Sequence, residues 1–182
     1  MTKNKTQILQ FGSGKFLRGF VDLFAQQAID DGIEVCPITV VQSTGTERVT
    51  QFRLQNCRYV AYIRGFSGDD EIQDDIEVKS IGNALSAEHD WLEVLDVCCT
   101  AESIVITSNA TEAGYVLDKT SVDMTTCPKS FPAKLLAVLI SRYNADLSDV
   151  TVVPCELIEN NGNTLLNMVI DQAKVWGVED DC

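Results

Sequence analysis

Short β-branched runs alternate along the chain with segments of helical apolar spacing, and the runs are apolar nearly from end to end. Residues 8–11 (Ile-Leu-Gln-Phe), 38–41 (Ile-Thr-Val-Val), 103–107 (Ser-Ile-Val-Ile-Thr) and 150–153 (Val-Thr-Val-Val) show no regular polar alternation. A strand with one wet face alternates apolar with polar residues, whereas a strand without alternation is covered on both faces, as in parallel sheets flanked by helices. After the first run, Phe16, Phe20, Phe24 and Ala28 recur at every fourth position with Leu17, Val21 and Ile29 beside them. This spacing predicts one helix with a broad buried apolar face, stopped near Gly32. The first 42 residues therefore read as a βαβ unit.

Beyond it, residues 59–63 and 72–81 are predicted to be extended. Asp69, Asp70, Glu71, Asp74, Asp75 and Glu77 crowd this region. They lack the oxygen-ligand offsets and central glycine of a calcium loop, so a solvated hairpin edge is expected, where charge blocks unwanted strand pairing. Residues 90–98 suit a helix. Another helix is predicted from Ser130 as N-cap, with Pro132 in its first turn and a buried stripe of Leu135, Leu136, Leu139, Ile140 and Tyr143. A last one carries Leu165, Leu166, Val169, Ile170, Ala173 and Trp176. The expected fold is α/β, a Rossmann-like doubly wound, mostly parallel sheet with helices on both faces, and 182 residues suit one domain spanning 1–182.

The net charge of −13 argues against nucleic acid and anionic membrane surfaces as partners, because no basic stripe is present to neutralise phosphates. A local cluster of cations can still hold an anionic ligand against that global field. Seven cysteines, Cys36, Cys57, Cys98, Cys99, Cys127, Cys155 and Cys182, form no CxxC pair, so no metal site is expected. No signal or membrane-spanning stretch is recognised near the start, and the expectation is a cytoplasmic chain with reduced thiols. The Asn4 and Asn109 sequons are then chance matches.

Three segments at expected strand ends carry candidate chemistry. Gly12-Ser13-Gly14-Lys15-Phe16-Leu17-Arg18 sits between strand and helix. A phosphate-binding turn needs one glycine for a backbone angle that side chains resist and another so that a diphosphate reaches the backbone amides. Leu17 replaces the third Rossmann glycine, and an ordinary tight turn is the competing reading. At the end of the second run no acid is present before Glu47. Gln42 is the candidate for a ribose hydroxyl, Arg48 stands nearby, and the choice between NAD and NADP stays open. The second segment, Thr107-Ser108-Asn109-Ala110-Thr111-Glu112-Ala113-Gly114, is either a ligand-lining run or a polar loop with an N-cap. The third is Pro154-Cys155-Glu156-Leu157-Ile158-Glu159-Asn160-Asn161-Gly162. There Glu156 either orients a ligand or is a surface acid, and Asn160 either joins it or caps the last helix.

Together with Ser130-Phe131-Pro132-Ala133-Lys134-Leu135, these segments resemble the long-chain mannitol dehydrogenase family, in particular its tagaturonate reductase branch. Leu157 stands where mannitol-type members place an asparagine. The resemblance covers the amino-terminal Rossmann domain only. It implies NAD as cofactor, with Gly12, Ser13, Gly14, Lys15, Phe16 and Arg18 at the diphosphate turn. It further implies Gln42, Ser108, Asn109 and Thr111 along the dinucleotide, and Glu156 and Asn160 close to the substrate, a keto-hexuronate of the tagaturonate/altronate type. Fructuronate- or mannitol-type chemistry and a stand-alone dinucleotide-binding module are the alternatives. The family's catalytic lysine, asparagine and histidine belong to a helical domain with no counterpart in this sequence. The single histidine, His89, is expected at a helix start on the surface. An apolar face bared by the lack of that domain would favour self-association.

Overall fold

The computed structural model describes residues 6–120, 123–147 and 149–178. The Asn4 sequon and Cys182 lie outside them. In chain order the elements are β1 (Thr6–Phe11), α1 (Lys15–Gly19), α2 (Val21–Asp30), β2 (Ile38–Gln42), α3 (Glu47–Leu54), β3 (Tyr59–Ser67), β4 (Asp70–Val78), β5 (Ile81–Ser86), α4 (Trp91–Cys98), β6 (Ser103–Ser108), α5 (Phe131–Asn144), β7 (Asp149–Pro154) and α6 (Asn161–Trp176). Five strands form a wholly parallel sheet in the order β5-β2-β1-β6-β7. The chain winds outward from β1 through β2 to β5, then crosses to β6 on the other side of β1. The strand order thus reverses between β1 and β6, which is where doubly wound sheets open a crevice at their carboxyl ends.

Two cores flank the sheet. Leu9, Phe11, Ile104 and Ile106 face α4, α5 and α6, whereas Ile8, Ile38, Val40, Ile81 and Ala84 lie beneath α2 and α3. The unalternating strand pattern therefore has the predicted cause, helices on both faces. β7 departs from it. Its residues alternate between exposed and half-buried, because it is an edge strand and Val153 has no helix over it. The acidic segment is the expected hairpin. β3 and β4 pair antiparallel around a two-residue turn at Gly68-Asp69, with Arg64 bridging Asp75 at 2.7 Å and Lys79 bridging Glu77 at 2.8 Å.

The first helix differs from the expectation in two ways. It breaks at Phe20 (φ −122°, ψ −78°) into α1 and α2, and the phenylalanine stripe points outward. Phe16, Phe20 and Phe24 are 41, 48 and 57% exposed; Phe16 stacks on Phe20 at 4.7 Å between ring centroids, and Phe20 meets Phe24 edge to face at 5.8 Å. The buried side of α2 is instead Asp22, Leu23 and Gln26. The reason is polar docking of the hairpin's root. Lys79 N donates to Gln26 Oε1 at 2.7 Å, Ser80 Oγ to the Asp22 carbonyl at 2.7 Å, and Tyr59 Oη to the Arg18 carbonyl at 2.7 Å. Helical apolar spacing cannot distinguish a core face from an uncovered one. For the same reason Tyr143, expected in the buried stripe of α5, is exposed, and so are Leu166 and Ile170 on α6. The helix α3 was not anticipated; it is only eight residues long, held by Val49 and Phe52 on the core.

Two buried charged residues have different partners. The Arg142 guanidinium, on α5, donates to four backbone carbonyls: Cys98, Ala101 (3.1 Å), Glu102 (2.6 Å) and Asp149 (3.2 Å). It ties the last turn of α4 to the starts of β6 and β7. Asp22 is fully buried; desolvation raises its carboxyl to about 6, against the lowering effects of Gln10, Tyr59 and Arg18. Asp22 Oδ1 and Gln10 Oε1 are both buried without a donor, so a proton on Asp22 would supply one. Since the folded value lies above the ordinary 3.8, protonation stabilises the fold below about pH 4, and this contribution is lost as pH rises through about 6. Asp22→Asn is expected to raise stability by about 1–3 kcal/mol at pH 8 and by little at pH 4.5. Urea melts at the two pH values measure it. An equal effect at both would mean that Asp22 is ionised throughout.

Candidate functional site

A cleft of about 490 Å³ opens at the strand reversal, over the carboxyl ends of β1, β2 and β6. Its floor is Gly12-Ser13-Gly14. Gly12 has φ +134°, and a Cβ there would sit 2.9 Å from Leu17 Cδ1; its amide donates to the Val41 carbonyl at 3.0 Å. Gly12 therefore makes the turn. Gly14 lies in ordinary extended backbone (φ −73°, ψ 167°), and a Cβ on it would meet only Arg48 Nη1, at 3.8 Å. That glycine keeps the approach to the backbone clear. Among the described residues no backbone carbonyl accepts from the amides of Ser13, Gly14, Lys15 or Phe16, so these donors are available to an anion.

On the β2 side the wall is Gln42, Ser43, Thr44, Glu47 and Arg48; on the β6 side it is Asn109, Ala110, Thr111, Gly114, Lys129, Phe131 and Lys134. The cleft thus brings together Gly12, Ser13, Gly14, Gln42, Asn109 and Thr111 of the residues expected from sequence. Gln42, however, is committed to its own loop. Its Oε1 accepts from Val49 N at 2.9 Å and its Nε2 donates to the Thr44 carbonyl at 2.7 Å, so the ribose role does not suit it. Glu47, the first acid after β2, lines the cleft instead.

Lys15, Phe16, Arg18, Ser108, Glu156 and Asn160 do not line this cleft. The Phe16 ring turns to solvent, and the Arg18 guanidinium lies 5.7 Å over the Tyr59 ring. The side chains of Phe16 and Arg18 thus point away from the anion position; the Phe16 amide still borders the turn. Ser108 is fully buried at the end of β6. Glu156 is buried, not a surface acid. One carboxylate oxygen accepts from Ala110 N at 2.8 Å and the other from Asn161 Nδ2 at 3.0 Å, while Asn109 Nδ2 donates to the Cys155 carbonyl at 2.9 Å. The second and third motifs are therefore two loops bolted together, with Glu156 as the brace. Burial and the neighbouring Glu156 carboxylate both push the Tyr115 hydroxyl well above its ordinary range, which keeps it a neutral donor. Asn160 holds the N-cap position of α6 in the left-handed region (φ 52°), without a side-chain capping bond. His89 is exposed just before α4.

Two cleft lysines, Lys129 and Lys134, lie outside the site residues expected from sequence. Lys134 is only 2% exposed, and burial lowers its ammonium below the usual lysine range. The signal that could have singled it out is a lysine in the first turns of a helix, where the macrodipole disfavours cations. Among the described residues no cluster of three or more His, Cys, Asp or Glu could hold a metal, and no helix is long and apolar enough to cross a membrane.

The geometry of strand reversal, glycine turn and polar cleft agrees with the comparison of the whole chain with known families. The model of the mannitol dehydrogenase Rossmann domain matches residues 6–179. The chain belongs to the mannitol dehydrogenase family. Altronate oxidoreductase of Halalkalibacterium halodurans is 33% identical over 175 residues, covering 93% of this chain and 34% of the relative. That of Bacillus subtilis is 33% identical over 183 residues, covering 98% and 38%. The chain thus spans little more than a third of the length of these relatives. Among solved structures of this fold, Pseudomonas fluorescens mannitol 2-dehydrogenase in ternary complex with NAD and D-mannitol superposes with a TM-score of 0.76 at 20% identity, over 94% of this chain and 38% of the other. D-sorbitol dehydrogenase in substrate-free form gives 0.74 at 22%, with the same coverage.

Proposed function

We propose that this chain is the NAD-binding part of an oxidoreductase that interconverts a keto-hexuronate and its hydroxy acid, of the tagaturonate/altronate type. The observation that carries this reading is the uncovered Gly12-Ser13-Gly14 turn at the strand reversal, with unspent amides and a carboxylate, Glu47, at the start of α3 on the β2 side of the cleft. The fit to NAD is residue by residue. Gly14 admits the diphosphate, the amides of Ser13 to Phe16 bind it, and Glu47 accepts from the adenosine ribose hydroxyls. A carboxylate there repels a 2′-phosphate, which favours NAD over NADP. Asn109 and Thr111, fixed by the Glu156 brace, line the path toward the nicotinamide end. When bound, NADH would supply the hydride that reduces a ketone carbonyl.

Glu156 holds the loops rather than touching the sugar acid, and no residue of the cleft is assigned to proton transfer. That step is assigned to the lysine, asparagine and histidine that the family resemblance places in a helical domain. The uncovered Phe16, Phe20 and Phe24 stripe and the bare face of β7 are consistent with a surface that such a domain covers. The chain alone is expected to bind NADH without oxidising it in the presence of tagaturonate, since near-attack geometry needs both reactants held. A melting assay tests the cofactor. NADH at a hundred times its dissociation constant adds about 2.7 kcal/mol, a rise of roughly 5–10 °C for a chain of this size, whereas S-adenosylmethionine gives none. The opposite preference would overturn the proposal.

A further inference from the structure

Lys134 is a buried ammonium with almost nothing to bind. Its Nζ donates to one group, the Lys129 carbonyl at 2.9 Å, and among the described residues its ammonium takes part in no ion pair. Two of its three N–H donors are unspent although the side chain lines the cleft. Cys127, Glu88 and Asp118 act on it through space only. It is the fourth residue of α5, so it also adds positive charge to the positive end of a helix. A buried cation in that position costs stability unless a counter-charge arrives. Arg48 is a second cation across the cleft, exposed rather than buried. It follows β2, its guanidinium hangs over Gly14, and among the described residues it makes no ion pair. Because β1 lies between β2 and β6 in the sheet, the two cations flank the glycine turn from opposite sides.

We propose that Lys134 and Arg48 form a two-sided clamp for the diphosphate of the dinucleotide, adding side-chain charge to the backbone amides of the glycine turn. This rests on the cofactor reading above. Glu47 on the same wall disfavours the other phosphate source, a 2′-phosphate on the adenosine ribose.

The test is calorimetric titration of the chain with adenosine, ADP, NADH and 2′-AMP. Lys134→Met is expected to weaken ADP and NADH about 10- to 100-fold, the range of a charge-assisted hydrogen bond, and to leave adenosine unchanged. Arg48→Met, being exposed, is expected to lose several-fold on the same ligands. Unliganded Lys134→Met should melt no lower than the parent; Lys134→Gln carries the same expectations if the methionine variant does not fold. Equal losses for adenosine and ADP, or none for either, would overturn the clamp while leaving the cofactor reading intact. A loss confined to 2′-AMP would also overturn it. A parent chain that binds neither ADP nor NADH would remove the cofactor reading itself, and the clamp with it.

Discussion

Gly14→Val is expected to weaken NADH binding at least about a hundredfold, equivalent to about 2.7 kcal/mol, while the unliganded chain melts as before. The two halves of this expectation have separate origins. Position 14 has ordinary extended backbone angles, and a Cβ there touches only the mobile end of Arg48 at 3.8 Å, so valine fits without strain. Its methyl groups nevertheless project into the lane by which a diphosphate would reach the amides of Ser13 to Phe16. A titration by nicotinamide fluorescence, paired with a melt, measures both. Unchanged affinity would sink the assignment of the turn. Gly12 is a poorer probe, because φ +134° and the 2.9 Å approach to Leu17 mix backbone strain with any binding effect.

Arg142→Ala is expected to cost about 3–5 kcal/mol, because it removes the donor set of four buried carbonyls and leaves a void at a side chain 1% exposed. At roughly 2–4 °C per kcal/mol for a chain of this length, the melting midpoint should fall by roughly 6–20 °C. Binding of NADH well below that midpoint should be unaffected. Urea unfolding reads the energy directly, and a loss under about 1 kcal/mol would mean that the carbonyls find other donors or water.

Four of the five parallel strands, the start of α5 and the position of the glycine turn are legible in the sequence because each rests on a local rule: unalternating apolar runs, glycines at a strand end, a serine N-cap before Pro132. The fifth, β5 (Ile81–Ser86), is interrupted by Gly82 and Asn83 and carries no such run, so it is not among the predicted strands. What failed needed knowledge of the neighbours. The phenylalanine stripe looked like a core face, yet the root of the hairpin bonds to Asp22 and Gln26 and turns α2 over. Gln42 stood where a ribose ligand is expected, but its amide closes the loop that leads into α3. Glu156 looked like a surface acid or a ligand group, and it is a brace between segments 46 residues apart in the chain, Ala110 and Glu156. For Lys134 the sequence offers only its place in the first turns of a helix, because its burial depends on packing between α5 and the loop before it.

The Arg142 anchor lies where β6 and β7 begin, at the opposite rim of the sheet from the cleft. What keeps the chain folded and what lets it grip a ligand are therefore separated by the length of a strand. Loops at the ligand rim can be lengthened, exchanged or recharged by mutation without loosening that fastening. A scaffold divided in this way can alter its grip on a ligand in single steps, each tolerable to the fold.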